Sequence, residues 1–309
     1  MSPARRPSVR QPPGLRPSGY APAAAGAPGP AHRRRDAAPD GAPGLSPARL
    51  AALQERLLGW YAENGRDLPW RHTTDPYAIL VSEVMLQQTQ APRVAVRYPT
   101  FLARFPTPAS LAEAPLADVL AAWMGLGYNN RALRLKRCAE ALPGGLLPAE
   151  LDALRALPGI GPYTARAVLV FAHNADLAAV DANVRRVLTS ELGLPHDLSA
   201  AALQAVADAA LPLGRARDWH NALMDYGSLV LTSRATGIAP RTRQTPFAGS
   251  PRQRRARLLR ALVERGPLTR AEAAAALGIS EAACRAVIAS LVRDGLAVAD
   301  ETTRAVRGD

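Results

Sequence analysis

The chain has 309 residues, 48% of them hydrophobic, and its length indicates about two domains. It carries 38 Lys and Arg against 26 Asp and Glu, and this formal charge of +12 favours a polyanionic partner. No stretch approaches the roughly 18 apolar residues that cross a bilayer, and no apolar signal segment opens the chain, so we expect a soluble cytoplasmic protein. Two cysteines, Cys138 and Cys284, exclude a disulfide framework and a four-cysteine iron–sulfur site.

Residues 1–45 contain ten prolines and no apolar period, which predicts a disordered arm. Seven arginines and two aspartates within residues 1–40 give this arm a charge of +5. Its composition is typical of a solvated tail without a specific role. The alternative is a basic arm that contacts the phosphate backbone of a nucleic acid.

Order is predicted to begin at Ser46-Pro47, a helix N-cap followed by proline at the first helical position. From there to residue 232 apolar residues recur at helical spacing, and strand signals are nearly absent before residue 295. The spacing predicts an all-α body of short helices, one of which runs from Tyr77 through about Pro92. The later helices are expected near 94–104, 109–112, 116–123, 130–141, 150–155, 162–174, 183–192, 199–211 and 218–232.

The C-terminal part is predicted to form a separate module. Residues 233–250 read as a linker, and residues 251–309 read as three helices followed by an alternating apolar and polar stretch. This order predicts a winged-helix-like domain. Five arginines of its first helix favour contact with DNA modestly over a small packing module, namely Arg252, Arg254, Arg255, Arg257 and Arg260.

A glycine-rich turn separates two of the predicted helices. It reads Leu157-Pro158-Gly159-Ile160-Gly161, and a helix follows directly. Glycine allows backbone torsions that are closed to other residues and lets the chain approach a ligand, while the N–H groups at a helix start bind anions. The turn is a helix-hairpin-helix signature and predicts a site for one DNA phosphate. A tight turn between packed helices is the alternative.

Four further motifs occur in order along the chain. They occupy residues 68–71 (LPWR), 82–90 (SEVMLQQTQ), 123–128 (WMGLGY) and 180–188 (VDANVRRVL). Together with the hairpin they resemble the MutY-type adenine DNA glycosylases of the helix-hairpin-helix superfamily, over about residues 47–232. The resemblance implies a two-lobed helical fold and an enzyme that flips adenine out of duplex DNA, where it is mispaired with 8-oxoguanine or guanine. The enzyme would then hydrolyse the N-glycosidic bond of that adenine.

Adenine is a poor leaving group, so its removal needs an acid that protonates the base and an ionised carboxylate that steadies the sugar cation. Glu83 is the candidate acid, because flanking residues such as Val81 and Met85 are apolar and would raise its pKa. Asp181 is the candidate anion at a helix start, where N–H groups would keep it ionised. An ordinary exposed helix carboxylate and a plain N-cap are the alternatives. The resemblance implies that the two groups lie together, with Glu83 as acid and then base, and Asp181 stabilising or trapping the sugar cation.

The resemblance assigns further roles. Tyr163 would lie between the carboxylates, and Asn183 would contact water and sugar. The base pocket would be lined by Arg66, Trp70, Arg71, Leu86 and Asn221. The wedge that fills the gap in the duplex would be formed by Gln87, Gln88 and Tyr128. Packed core aromatics and a polar helix face are the alternatives for Trp70, Tyr163, Tyr128 and the two glutamines.

One position separates two subclasses of this superfamily. Relatives that also nick the strand carry a lysine where Tyr163 stands, and that amine forms a Schiff base. Lys136 is the only lysine of the sequence, in a helix that reads as surface. We therefore expect a monofunctional enzyme without lyase activity.

The chain departs from the resemblance in several places. Most relatives bind a [4Fe–4S] cluster after the catalytic domain, but Leu231 stands where the first cysteine is expected, so we expect no cluster and no other cofactor. Without the cluster the chain also lacks a loop that contacts DNA in those relatives, and Arg234, Arg241 and Arg243 could supply that contact instead. Asn129-Asn130 replaces a usual second tyrosine, Asn221 replaces a longer Gln or Glu, and the winged module replaces a Nudix-like domain that reads the opposite lesion.

Two other functions stay open at this point. A related glycosylase would remove another base, such as T or U opposite G, hypoxanthine or a modified pyrimidine. A non-catalytic DNA-binding protein would use only the hairpin and the winged helix, but it would not need both Glu83 and Asp181. We expect a monomer whose partner is double-stranded DNA with a mispaired adenine, and no membrane.

Overall fold

The computed structural model describes residues 46–238, 246–300 and 305–307. The predicted arm, residues 1–45, lies outside these described residues, and so do Arg241 and Arg243 in the predicted linker. In the part of the chain that is described, helices dominate and the only strands belong to the C-terminal module. The predicted all-α class is confirmed.

The body of the protein is built from short helices that begin at side-chain caps. Ser46 accepts a hydrogen bond from the amide of Arg49, and the Asp75 carboxylate accepts from the amides of Tyr77 and Ala78, which satisfies otherwise unpaired N–H groups. The helices are α1 (Pro47–Asn64), α2 (Pro76–Leu86), α3 (Ala91–Arg104), α4 (Pro108–Glu113), α5 (Leu116–Trp123), α6 (Asn130–Glu140), α7 (Leu151–Ala156), α8 (Pro162–His173), α9 (Ala182–Leu192), α10 (Ala200–Ala209), α11 (Ala216–Leu229) and α12 (Ser233–Thr236).

These helices form two lobes, each with its own apolar core. The first lobe comprises α2 to α8, and Phe101 and Trp123 lie fully buried at its centre. The second comprises α1 and α9 to α11 and is centred on Leu188 and Trp219. Helix α8 contributes to both cores, with Val168 in the first and Val170 in the second. The two lobes therefore meet along α8.

The helix predicted from Tyr77 through about Pro92 is wrong beyond Leu86. Helix α2 ends at Leu86, and Gln88 adopts a left-handed backbone with φ +58° before α3 begins. The cause is a long-range contact, because Arg131 on α6 donates to the carbonyls of Val84, Met85 and Gln87 at 2.6–2.8 Å. Carbonyls that another helical turn would use are bound by this guanidinium instead.

The C-terminal module contains three helices and a small antiparallel sheet. In chain order its elements are α13 (Pro251–Arg265), β1 (Leu268–Thr269), α14 (Arg270–Leu277), α15 (Glu281–Arg293), β2 (Val298–Asp300) and β3 (Ala305–Arg307). The strand order is β1-β3-β2, with β3 between its two neighbours. Strand β1 was not predicted, since two residues carry no alternating pattern and its pairing to Val306 is long-range.

Two further features of the C-terminal part bear on the sequence predictions. The predicted linker 233–250 is helical at its start, because Thr232 caps α12 and Ile238 is buried just beyond it. Helix α13 packs on α5, and the apolar core of the module is continuous with that of the first lobe.

Among the described residues no single helix is long and apolar enough to cross a membrane. Helices α14 and α15 reach that length and composition only when counted together, across a bend of 99°.

The first-lobe core should depend on Phe101, whose ring lies 5.0 Å from Phe105 and 5.7 Å from Trp123, centroid to centroid. Phe101→Ala is expected to lower the free energy of unfolding by about 3–5 kcal/mol, because it leaves a cavity. Urea denaturation measures this loss. Val96→Ala on the same helix is the control, since Val96 is 72% exposed and its change should stay within about 0.5 kcal/mol. Equal losses at both positions would contradict the described core.

Candidate active site

A cleft of about 540 Å³ lies between the two lobes, within the size range of small-ligand sites. Helices α2, α8, α9 and α11 and the segment before α2 form its walls. Most residues singled out from the sequence line this cleft, although they come from five separate parts of the chain. They are Arg66, Trp70, Arg71, Glu83, Leu86, Gln87, Gln88, Tyr163, Asp181, Asn183 and Asn221.

Glu83 lies in the middle of α2 and is only 6% exposed, so the alternative of an ordinary exposed carboxylate is wrong. Burial raises the pKa of its carboxyl from 4.5 to about 7, because the anion loses water. A hydrogen bond from the Tyr163 hydroxyl partly opposes this rise, and the nearby Asp181 charge adds to it. Glu83 can therefore carry a proton near neutral pH.

Asp181 is the N-cap of α9 and also faces the cleft, so both readings of this residue hold. Its Oδ1 accepts from the amides of Asn183 and Val184 at 2.8 and 2.7 Å, and its Oδ2 accepts from the Asn183 side-chain amide at 2.9 Å. Burial raises the pKa of this carboxyl, whereas these hydrogen bonds and the charge of Arg186 act in the opposite direction. Burial outweighs them, so the pKa of Asp181 lies above its ordinary value, and the cap hydrogen bonds limit this rise by favouring the ionised form.

Tyr163 follows the glycine hairpin in the first turn of α8. Its hydroxyl bonds to Glu83 and lies within the field of Asp181, and burial together with these two charges raises its pKa well above 10. The phenol therefore stays protonated, bonded to Glu83 and close enough to Asp181 to be affected by its charge.

The prediction that Lys136 lies on the surface is wrong. Its side chain is 12% exposed, and its ammonium donates to the Ala112 carbonyl at 2.5 Å and pairs with Glu140 at 2.8 Å. A lysine stem can be buried against apolar surface while its charge stays bound, which the helical pattern does not reveal. The residue is absent from the lining of the cleft.

The two pocket arginines share a partner that the sequence did not indicate. Asp225 on α11 is completely buried and accepts from the backbone amide and Nε of Arg66 and from both terminal nitrogens of Arg71, at 2.7–2.8 Å. Burial alone would raise the pKa of Asp225, but the hydrogen bonds from Arg71 and Arg66 outweigh burial and lower it. The arginines line the cleft, and their guanidiniums fix the segment before α2 to α11.

The other wall residues have different contacts. The Trp70 ring packs edge-on against Tyr98, with 5.8 Å between centroids, while one side faces the cleft. Asn221 is 8% exposed on α11 and also lines the cleft. Phe171 and Met224 add apolar wall that the sequence did not single out, because nothing distinguishes them from core residues.

The three predicted wedge residues lie in two loops. Gln87 and Gln88 occupy the break after α2, and Tyr128, outside the cleft lining and 37% exposed, lies between α5 and α6. Gln88 and Tyr128 both have positive φ, +58° and +47°, a conformation that persists only where surrounding contacts hold it. Arg131 supplies those contacts, because its other terminal nitrogen donates to Thr89 Oγ1 and to the Leu126 and Gly127 carbonyls at 3.0–3.2 Å.

The burial of Arg131 has an electrostatic consequence. Burial lowers the pKa of its guanidinium to about 10, and the ring of Tyr128 lies 5.6 Å away. The sequence did not identify this residue, because its hydrogen-bond partners lie in two separate loops.

The glycine hairpin connects α7 to α8. Gly159 has φ +79°, and a Cβ there would lie 2.9 Å from the Cβ of Arg134, so glycine is required at this position. Leu157 and Pro158 precede it, and Ile160 is buried. Gly161 caps α8 without a side-chain hydrogen bond, which leaves helix N–H groups for an anion.

The residues after α11 do not suit a four-cysteine cluster. Cys138 lies buried in α6 and Cys284 buried in α15. The described residues include no group of three or more His, Cys, Asp or Glu side chains that could hold a metal ion. At Leu231 the backbone carbonyl accepts a hydrogen bond from Arg186, which also donates to the Gly227 carbonyl.

The cleft brings Glu83 and Asp181 together beside the glycine hairpin, the arrangement that the resemblance to the helix-hairpin-helix DNA glycosylases implies. Comparison with known proteins agrees: residues 81–210 match the HhH-GPD superfamily of base excision DNA repair proteins, and residues 252–297 match a winged helix-turn-helix DNA-binding family. The chain is 38% identical over 280 residues to the adenine DNA glycosylase of Mycobacterium tuberculosis, covering 82% of this chain and 90% of that protein. It belongs to the adenine DNA glycosylase family, as the motifs predicted.

Two further comparisons extend this result. The adenine DNA glycosylase of Mycolicibacterium smegmatis is 40% identical over 241 residues, which cover 70% of this chain and 82% of that protein. The solved structure of a thermostable thymine-DNA glycosylase superposes with a TM-score of 0.56 and 31% identity, over 60% of this chain and 89% of that one. The match to the winged family confirms the predicted class of the C-terminal module.

The buried Glu83 carboxyl should make stability depend on pH. Its pKa is about 7 in the folded chain against 4.5 ordinarily, so between these values the folded chain holds a proton that the unfolded chain releases. Raising the pH through this interval therefore lowers the free energy of unfolding, by up to roughly 3 kcal/mol. Glu83→Gln removes this dependence on pH. The free energy of unfolding of the variant, relative to that of the wild type, should therefore increase from about pH 4.5 to about pH 8.

Urea titrations at a series of pH values measure this difference. The exposed Glu113 is the matched control, and Glu113→Gln should follow the wild-type pH dependence. An advantage of Glu83→Gln that does not change with pH would contradict the raised pKa.

Proposed function

We propose that this chain is a monofunctional adenine DNA glycosylase that removes adenine from duplex DNA where it is paired with 8-oxoguanine or guanine. The observation that carries the proposal is the facing of Glu83 and Asp181 in one cleft, with Tyr163 bonded to the first and beside the second. The identity to proteins named adenine DNA glycosylase supports adenine as the base.

Glu83 acts as the general acid. With a pKa of about 7 it is substantially protonated at neutral pH, and it gives its proton to N7 of adenine as the C1′–N9 bond breaks. The base leaves as neutral adenine, and the bonding electrons go with it. The Glu83 carboxylate that remains then takes a proton from the water that attacks C1′.

Asp181 stabilises the positive charge that grows on the deoxyribose. Its three hydrogen bonds from the start of α9 hold it as an oriented anion, and Asn183 is itself held by Arg186 at 2.6 Å. A fixed anion in a site shielded from water stabilises a cation more strongly than an exposed one does. Tyr163 stays neutral, and its hydroxyl bonds to Glu83 beside Asp181.

The remaining residues act in reaching the base. Adenine is hidden in the stack and must be flipped out, for which Gln87, Gln88 and Tyr128 form the wedge. Trp70, Leu86 and Asn221 receive the base, while Arg66 and Arg71 hold that wall through Asp225. The N–H groups that follow Gly161 bind a phosphate of the same strand.

A strand-nicking activity through a Schiff base is not part of the proposal. Tyr163 occupies the position at which an amine would have to stand, and Lys136 is bound to Ala112 and Glu140 away from the cleft.

A second candidate function is removal of thymine opposite guanine. The similarity to a thymine-DNA glycosylase structure favours it, and so does Asn221, which is shorter than the Gln or Glu that the resemblance implies at the adenine edge.

Single-turnover cleavage distinguishes these candidates. Duplexes that carry A opposite 8-oxoguanine, A opposite G, T opposite G, U opposite G and hypoxanthine opposite T are incubated with excess protein, and released base is measured. We expect release of adenine. Glu83→Gln and Asp181→Asn should each slow this release about 100-fold or more. The first substitution removes the proton donor, and the second removes the anion that stabilises the sugar cation.

Lys136→Ala is the matched control outside the cleft and should leave the rate of base release unchanged. Release of thymine or uracil without adenine would favour the second candidate. Survival of every duplex would favour a DNA-binding protein without enzymatic activity.

We further propose that the enzyme works without an iron–sulfur cluster, as a monomer, in the cytoplasm at the nucleoid if the source is a bacterium. Support for the first point comes from Leu231 and from the two cysteines, which lie on different helices. Arg186 on α9 donates hydrogen bonds to the Gly227 and Leu231 carbonyls, so contacts between protein groups hold the segment at the end of α11.

Metal analysis and optical spectroscopy test this proposal. Protein purified without oxygen should contain far less than one iron per chain and show no broad absorption in the visible range. Four irons per chain, with loss of activity on their removal, would contradict it.

A further inference from the structure

The winged module touches the wedge. Arg252, in the first turn of α13, donates from Nη1 to the Tyr128 hydroxyl at 2.9 Å. The Arg131 guanidinium lies over the Tyr128 ring, 5.6 Å from its centroid. The catalytic lobe and the C-terminal module therefore hold this exposed side chain together.

Helix α13 is itself fixed to the catalytic lobe. Asp294, at the end of α15, accepts hydrogen bonds from Arg255 on α13 and from the Asn130 side chain on α6, the latter at 3.2 Å. Arg255 also donates to the Ser290 carbonyl at 3.1 Å, and α13 packs on α5. Asn130 is a position where the sequence departs from the resemblance, and here it joins the two parts of the chain. Arg252 is therefore presented to Tyr128 by a supported helix.

Tyr128 has a positive φ, which is unfavourable for a residue with a side chain and which the Arg131 contacts hold. Arg131 fixes the backbone around it but leaves its hydroxyl end in solvent, where Arg252 is the bonded neighbour. We propose that the winged module is part of the base-flipping apparatus, with Arg252 as a positioning residue that holds the Tyr128 side chain in its wedge orientation. The inference deepens the proposed function and rests on it.

A different role for Arg252 would be a direct contact to a DNA phosphate. Loss of a phosphate contact would weaken binding and reduce its salt dependence, but it would not depend on the Tyr128 hydroxyl. Loss of a positioning contact would slow flipping, and it would have no further effect once the hydroxyl is gone. The two roles are therefore separable by a double-mutant cycle.

The first experiment uses the full chain without DNA. Hydrogen–deuterium exchange of peptides that cover residues 124–130 is compared between the wild type, Arg252→Ala and Arg265→Ala. Arg265 is the matched control, since it is an exposed arginine at the other end of the same helix. We expect faster exchange of this loop in Arg252→Ala only, because the contact that steadies the Tyr128 side chain is lost.

The second experiment measures flipping. Each variant is made in the Glu83→Gln background, which blocks cleavage, and mixed rapidly with a duplex that carries 2-aminopurine beside an adenine opposite 8-oxoguanine. Arg252→Ala and Tyr128→Phe should each slow the fluorescence change about 2- to 10-fold, the worth of one hydrogen bond. The double variant should be no slower than either single variant, and Arg265→Ala should match the parent.

The outcomes separate the two proposals. Unchanged loop exchange, unchanged flipping in Arg252→Ala, or effects that multiply in the double variant would each overturn the inference while adenine release by the wild type still supports the proposed function. A wild type that releases no adenine would overturn the proposed function, and with it the inference that rests on that function.

Discussion

The chemistry proposed for this protein depends on the exclusion of water from a single carboxyl group. Glu83 is buried in the wall of the cleft by its own apolar helix, and its anion is unfavourable because little solvent can reach it. Asp181 is partly buried, and the start of α9 supplies hydrogen bonds in place of those that water would have given. One carboxyl comes from each lobe, and Tyr163 comes from the helix that both lobes share. Packing of the lobes therefore sets the ionisation of the pair.

Much of the site could be predicted because the signals are local. An aspartate followed by a helical pattern indicates an N-cap, a Gly-Ile-Gly turn before a helix indicates an anion site, and apolar neighbours around Glu83 indicate a raised pKa. Each signal spans fewer than about ten residues, which is the range over which helix geometry fixes neighbours. The resemblance then supplied what local geometry does not, namely that residues 83 and 181 share one cleft.

What escaped prediction depends on contacts between distant parts of the chain. Asp225 binds two arginines more than 150 positions away, and no pattern in α11 distinguishes it from a surface carboxylate. Arg131 ends helix α2 from a different helix, so periodicity alone extended α2 too far. The pairing of β1 with β3 joins two residues to a strand 36 positions later, which leaves no alternating signal. In each case a tertiary contact overrides the local preference.

The apolar core of the winged module is continuous with that of the first lobe, and α13 rests directly on α5. A chain cut after residue 238 would expose the apolar surface of the first lobe to water. The module and the first lobe are thus one thermodynamic unit, and heating should unfold them in a single cooperative transition. Substitutions that destabilise the helices of the module should therefore reduce the fraction of folded, active enzyme as well as its affinity for DNA.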